Sequence, residues 1–122
     1  MMLENQLPVN FDRIEEMSEG DAEFKAELVS ALYKSLSELK EKYLEGSELQ
    51  DLEIISQIRH KVKPALALFE IDMLNAIIQE GKEIISEKGF NEDFMVHLGQ
   101  FLDAVQEAID QVGSHLDQGE NS

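Results

Sequence analysis

Apolar side chains recur at intervals of three and four along almost the whole chain, and nowhere do they alternate over a useful length. That period lets an α-helix bury one face, whereas a half-buried strand needs a period of two. Only two prolines and seven glycines interrupt the 122 residues. The pattern predicts an all-α fold, and the turn residues divide it into segments.

A short helix is expected over about Asn10 to Met17, with Phe11 and Ile14 inward and Asn10 as its N-cap. The turn Ser18-Glu19-Gly20-Asp21 follows, and Asp21 can cap the next helix. That helix should run from about Ala22 to Glu45, with Leu28, Leu32, Leu36, Leu39 and Tyr43 as its apolar stripe. Gly46 suits a C′ position, and Ser47 with Gln50 reads as a capping box. The third helix is expected over about Glu48 to Phe69, burying Leu52, Ile55, Ile58, Val62, Leu66 and Phe69. A fourth, about Asp72 to Lys88, carries Leu74, Ile77, Ile78, Ile84 and Ile85 and stops at Gly89. Asn91 caps the last, about Glu92 to Val112, with Phe94, Leu98, Phe101, Leu102, Val105, Ile109 and Val112 on one side.

Short connections make successive long helices antiparallel. The expectation is therefore an antiparallel four-helix bundle with a short additional N-terminal helix. Residues 1–9 are read as an N-terminal extension, 10–112 as the bundle and 113–122 as a flexible acidic tail. An apolar content of 43% is enough for one core in a chain of this size.

The formal net charge of −16 sets the chain against nucleic acid and anionic membranes as partners. Charge of this sign also simply solvates helix surfaces. Cysteine is absent, so disulfides and thiolate zinc sites are excluded. Met1 to Pro8 has no basic start followed by an apolar stretch, and no run approaches the length of a membrane span. A soluble, cytoplasmic, monomeric protein is expected.

Against this acidic background, three of the ten basic residues fall in Arg59-His60-Lys61-Val62-Lys63. At 100° per residue, His60 lies about 170° from the centre of the third helix's apolar stripe, so it should face solvent. Its neighbours on that face are Ser56, Pro64 and Ala67, small side chains that leave the ring accessible. Lys63, one turn on, can meet a phosphoryl oxygen on a ring nitrogen. Arg59 and Lys61 can assist or steer an acidic partner. Cations beside an imidazole also favour its neutral, nucleophilic form. One nucleophile without a base or an oxyanion hole is too little for a complete enzyme, but it is enough for a carrier. A surface histidine on a helix is also commonly just a surface residue.

The run His60-Lys61-Val62-Lys63-Pro64-Ala65 resembles the signature of histidine-phosphotransfer (HPt) domains of bacterial multistep phosphorelays. That signature is a histidine, any residue, an aliphatic residue, lysine, glycine and a small residue. Gly20-Asp21-Ala22-Glu23-Phe24 is similar to the family's glycine-aspartate helix start. The resemblance covers about residues 10 to 112. It implies a four-helix bundle in which His60 accepts a phosphoryl group from a receiver-domain aspartate, at a ring nitrogen, and passes it to another receiver. Lys63 would assist electrostatically. Ser56, Arg59, Lys61, Pro64 and Ala67 would line the docking surface on the outer face of the second and third helices. The partners implied are receiver domains of response regulators or hybrid kinases. The chain itself would need no cofactor, with Mg²⁺ held by the receiver.

Pro64 stands where the family has glycine, and Glu70 where it often has another. A proline inside a helix removes an N–H and crowds the carbonyl four residues back, here that of His60. A kink or loosened turn is expected there. A second expectation follows: an HPt-like module that binds a receiver or kinase without accepting phosphate. A third is a helical scaffold unrelated to phosphorelays.

The other histidines are read as structural. His97 lies on the edge of the last helix's stripe as a packing or boundary residue, and His115 sits in the tail, disordered or solvent-facing. Met73 and Met95 are read as core filler. No zinc-binding histidine pattern and no glycine-rich phosphate loop is present, so no autonomous kinase activity is expected.

Overall fold

A computed structural model describes residues 9–121, with side chains through Leu116. Five helices account for nearly all of it: α1 (Phe11–Ser18), α2 (Ala22–Leu49), α3 (Leu52–Leu68), α4 (Asp72–Lys88) and α5 (Glu92–Asn121). No strand occurs among the described residues. The helices pack as a bundle. α2 lies against α3 and α5, α4 against α5 and α3, and α1 against α2.

Each start has a local cause. The side chain of Asn10 accepts from the amides of Asp12 and Arg13, that of Asp21 from Glu23 and Phe24, and that of Asp51 from Glu53 and Ile54. Asn91 accepts from Phe94 N at 3.1 Å. These bonds satisfy amides that the first turn leaves without partners. α4 starts differently, on Ile71, which has no side-chain cap but is fully buried.

The α2–α3 corner differs from the sequence expectation. α2 does not stop at Gly46 but continues to Leu49, and Gln50 takes the left-handed conformation (φ 53°). Gly46 is instead a packing glycine, because a Cβ there would lie 2.7 Å from Ile55 Cγ1. Ser47 is buried and donates to the Tyr43 carbonyl rather than capping α3. Asp51, an overlooked candidate, is the cap. α5 also runs past Val112 to Asn121. Gly113 does not end it, since inside a docked helix glycine costs only about 1 kcal/mol.

The core holds Leu32, Leu36, Leu39 and Tyr43 of α2, and Ile55, Ile58, Val62 and Leu66 of α3. Leu74, Ile78 and Ile85 come from α4, and Phe94, Phe101, Val105, Ala108 and Val112 from α5. Three apolar residues expected inside are not there. Leu52 is 50% exposed, Met95 61% and Met73 37%. All three lie in the first turns of their helices, and in α4 and α5 it is the neighbouring residues Leu74 and Phe94 that turn fully inward. No described helix is long and apolar enough to cross a membrane.

Candidate functional site

α3 carries His60 on its outer side, exposed to solvent. The inward positions Ile55, Ile58, Val62 and Leu66 are spaced three and four apart, which turns position 60 outward. The helix continues through Pro64 without a break. Proline has no amide to give, so the His60 carbonyl lacks its partner four residues on. The proline costs that bond and does not terminate α3. Pro64 and Ala67 are exposed and Ser56 is half-buried.

His60 stands at the edge of a groove between α3 and α4. The groove, about 80 Å³ in volume, is lined by Arg59, His60, Lys63 and Leu66 from α3 and by Asn75, Ile78, Gln79 and Lys82 from α4. It is far smaller than the ~300 Å³ and above of sites that enclose drug-sized ligands. It suits a small group presented from outside. Among the expected site residues, the structure groups Arg59 and Lys63 with His60. Lys61 turns the other way, to α2, and pairs with Glu38 at 2.8 Å. Ser56, Pro64 and Ala67 do not line the groove.

The α4 contributors were not anticipated. Asn75, Gln79 and Lys82 recur at spacings of four and three, one helical step after the buried Leu74, Ile78 and Gly81. That is the signature of a second, polar stripe on one helix. In the sequence it reads as ordinary solvation, because nothing local says that the stripe faces α3.

The pairing of cations is uneven. Arg13, Lys25, Lys42, Lys61 and Lys88 each meet a carboxylate. The other five meet none within 4 Å among the described residues: Lys34 and Lys40 on α2, and Arg59, Lys63 and Lys82, which all line the groove. In a chain with 26 Asp and Glu, three unpaired cations around one exposed imidazole form a local anion-attracting field.

Behind the groove lies a buried polar pair. Tyr43 of α2 and His97 of α5 are 0% and 2% exposed, and Tyr43 Oη lies 2.8 Å from His97 Nε2. The rings of Phe94 and Phe101 pack around them. Burial pushes the Tyr43 hydroxyl pKa up, the Arg59 charge opposes this, and Glu80 adds to it. Burial holds the His97 pKa below its usual value, with Glu80 acting the other way. Glu80 Oε1 is 3.8 Å from His97 Nδ1, too long for a hydrogen bond, and Nδ1 has no other partner. The carboxylate favours a proton on Nδ1, so Nε2 accepts from the tyrosine O–H.

His97 is therefore a core residue, not a boundary one. His115 is half-buried rather than solvent-facing, because its ring stacks on Phe11 at 3.7 Å between centroids. Among the described residues, no group of three or more His, Asp or Glu side chains is placed to hold a metal ion.

No protein-family model, no curated protein and no solved structure matches this chain.

Proposed function

We propose that this chain is a histidine-containing phosphotransfer protein of the HPt type, carrying a phosphoryl group on His60 between receiver-domain aspartates. The observation that carries the reading is the exposed imidazole of His60 among three cations that have no carboxylate partner. The run from His60 to Ala65 and the helical layout support it. In this reading α2 to α5 form an antiparallel four-helix bundle with α1 added, acting as a cytoplasmic monomer.

The chemistry is simple. The lone pair of neutral His60 Nε2 attacks the phosphorus of an aspartyl phosphate. The P–O bond to the carboxylate breaks, the receiver regains its aspartate, and an N–P bond forms on an imidazolium. Its remaining ring proton is free to leave to water. Lys63, Arg59 and Lys82 offset the charge that arrives with the phosphoryl oxygens. Mg²⁺ and the acidic pocket belong to the receiver.

Receiver phosphorylated by a small-molecule donor should label the wild-type chain and leave His60→Gln unlabelled. Equal labelling of both would remove the assignment. Pro64 is the specific observation behind a second reading, in which the chain binds a receiver but takes up no phosphate. Binding without uptake, with uptake restored by Pro64→Gly, would establish that version.

A further inference from the structure

The phosphotransfer reading leaves one feature unused: the polar pair buried behind α4. Gly81 lies directly on it. A Cβ at position 81 would stand 2.3 Å from Tyr43 Oη, 2.3 Å from His97 Nε2 and 2.8 Å from His97 Cε1. Real Cβ atoms do not approach so closely, so α4 reaches this depth only because residue 81 has no side chain. The next residue is Lys82, which lines the groove beside His60.

A helix moves as a body. Leu74, Ile78, Gly81 and Ile85 define the buried face of α4. Asn75, Gln79 and Lys82 form the stripe one step round, and whatever sets the depth of the first face sets the reach of the second. The seat under Gly81 is directional in a way an apolar one is not. Tyr43 Oη and His97 Nε2 pair with each other in a buried site, and turning either ring would leave both without a partner, as His97 Nδ1 already is. Arg59 lines the groove on its α3 side, and its charge opposes the upward shift that burial gives the Tyr43 hydroxyl. The uncapped start of α4 leaves this contact and the apolar core to hold the helix in place.

Resting on the phosphotransfer reading, we propose that Tyr43, His97 and Gly81 are positioning residues. The hydrogen-bonded pair sets the depth of α4, and that depth places Lys82 and Gln79 beside the phosphoryl group on His60. None of the three touches the reacting atoms.

The test is a double-mutant cycle on phosphotransfer from an acetyl-phosphate-charged receiver to the full chain. Gly81→Ala and Lys82→Ala should each slow the transfer by roughly tenfold, since displacements of about 1 Å commonly cost that much or more. Together they should cost little more than either alone, because the alanine at 81 has already withdrawn the lysine. Multiplying effects would overturn the proposal. Tyr43→Phe keeps the ring and removes only the hydroxyl; it should show the same non-additivity with Lys82→Ala, and serves if Gly81→Ala does not fold.

A readout independent of transfer separates this idea from the function it rests on. In NMR spectra without any partner, Gly81→Ala should shift the His60 ring and Gln79 side-chain amide resonances. If wild type takes up no phosphate yet these resonances move, the phosphotransfer reading fails and the seat stands as a packing device. If they stay fixed, the seat is wrong whatever the transfer rate.

Discussion

Two titratable groups meet in the core at the Tyr43–His97 contact, and each binds its proton differently in folded and unfolded chains. Burial lowers the His97 pKa from the ordinary 6.5. Above 6.5 the ring is neutral in both states and contributes no pH dependence. As pH falls from 6.5 through the folded value, the unfolded chain takes up the proton first and stability is lost. Burial raises the Tyr43 pKa above 10.0, so stability is flat below pH 10 on its account and falls as pH rises beyond it. Urea unfolding of wild type should therefore weaken between pH 6.5 and 5 more steeply than that of His97→Gln; parallel slopes would contradict a buried neutral histidine. At the surface, the groove cations can be ranked against Lys61. A hydrogen bond to a charged group is worth about 1.5–3 kcal/mol, or roughly ten- to a hundredfold in an equilibrium. Lys82→Ala should shorten the lifetime of phosphohistidine at His60, whereas Lys61→Ala, which breaks only the exposed pair with Glu38, should leave it nearly unchanged. Hydrolysis followed by ³¹P NMR distinguishes the two.

Helix ends carry their own predictions. Gln50 and Glu70 close α2 and α3 in the left-handed region, at φ 53° and 55°. That conformation costs a non-glycine residue about 1–2 kcal/mol, partly offset by the greater freedom glycine gives the unfolded chain. Gln50→Gly should stabilise the protein by about 0.5 kcal/mol, read as a higher urea midpoint with unchanged slope. Asp51→Ala removes the α3 cap and should cost about 1 kcal/mol. Cap positions were partly legible in the sequence. Asn10, Asp21 and Asn91 stand just before their apolar runs, and they cap. At the α2–α3 corner Gly46 drew the helix end too early, because a glycine that terminates and a glycine that packs look alike until the facing side chain, Ile55, is known. Glu70 is exposed, and its Oε1 accepts from Asn10 Nδ2, so a residue without glycine's conformational freedom also ties α1 to the end of α3.

Across the molecule, a net charge of −16 works against compactness. The ion pairs that oppose it are exposed and worth little each. Raising ionic strength from about 0.01 M to about 0.15 M shortens the screening length from about 30 Å to about 8 Å. The melting temperature should rise by a few degrees over that range, since about 1 kcal/mol corresponds to about 4 °C in a domain near this size. A fall on adding salt would mean that attraction within the paired network dominates. The core responds to volume instead. Phe101→Ala, at a fully buried ring packed on Tyr43, should cost about 3–5 kcal/mol in the same assay.

The sequence by itself determined the helical class, most of the buried stripe and the outward direction of His60. Those properties follow from angular period along one chain segment, and period is fully written in the order of residues. It did not determine which helix His60 would face. Lys63 is one turn away on the same helix and was legible. Lys82 and Gln79 lie about twenty positions on and meet His60 only because α4 packs beside α3. Gly81 and His97 were likewise ambiguous alone, a glycine inside a helix and a histidine beside a stripe. Tertiary packing decided both, because only the approach of three helices gives Gly81 a Tyr43–His97 pair to rest upon.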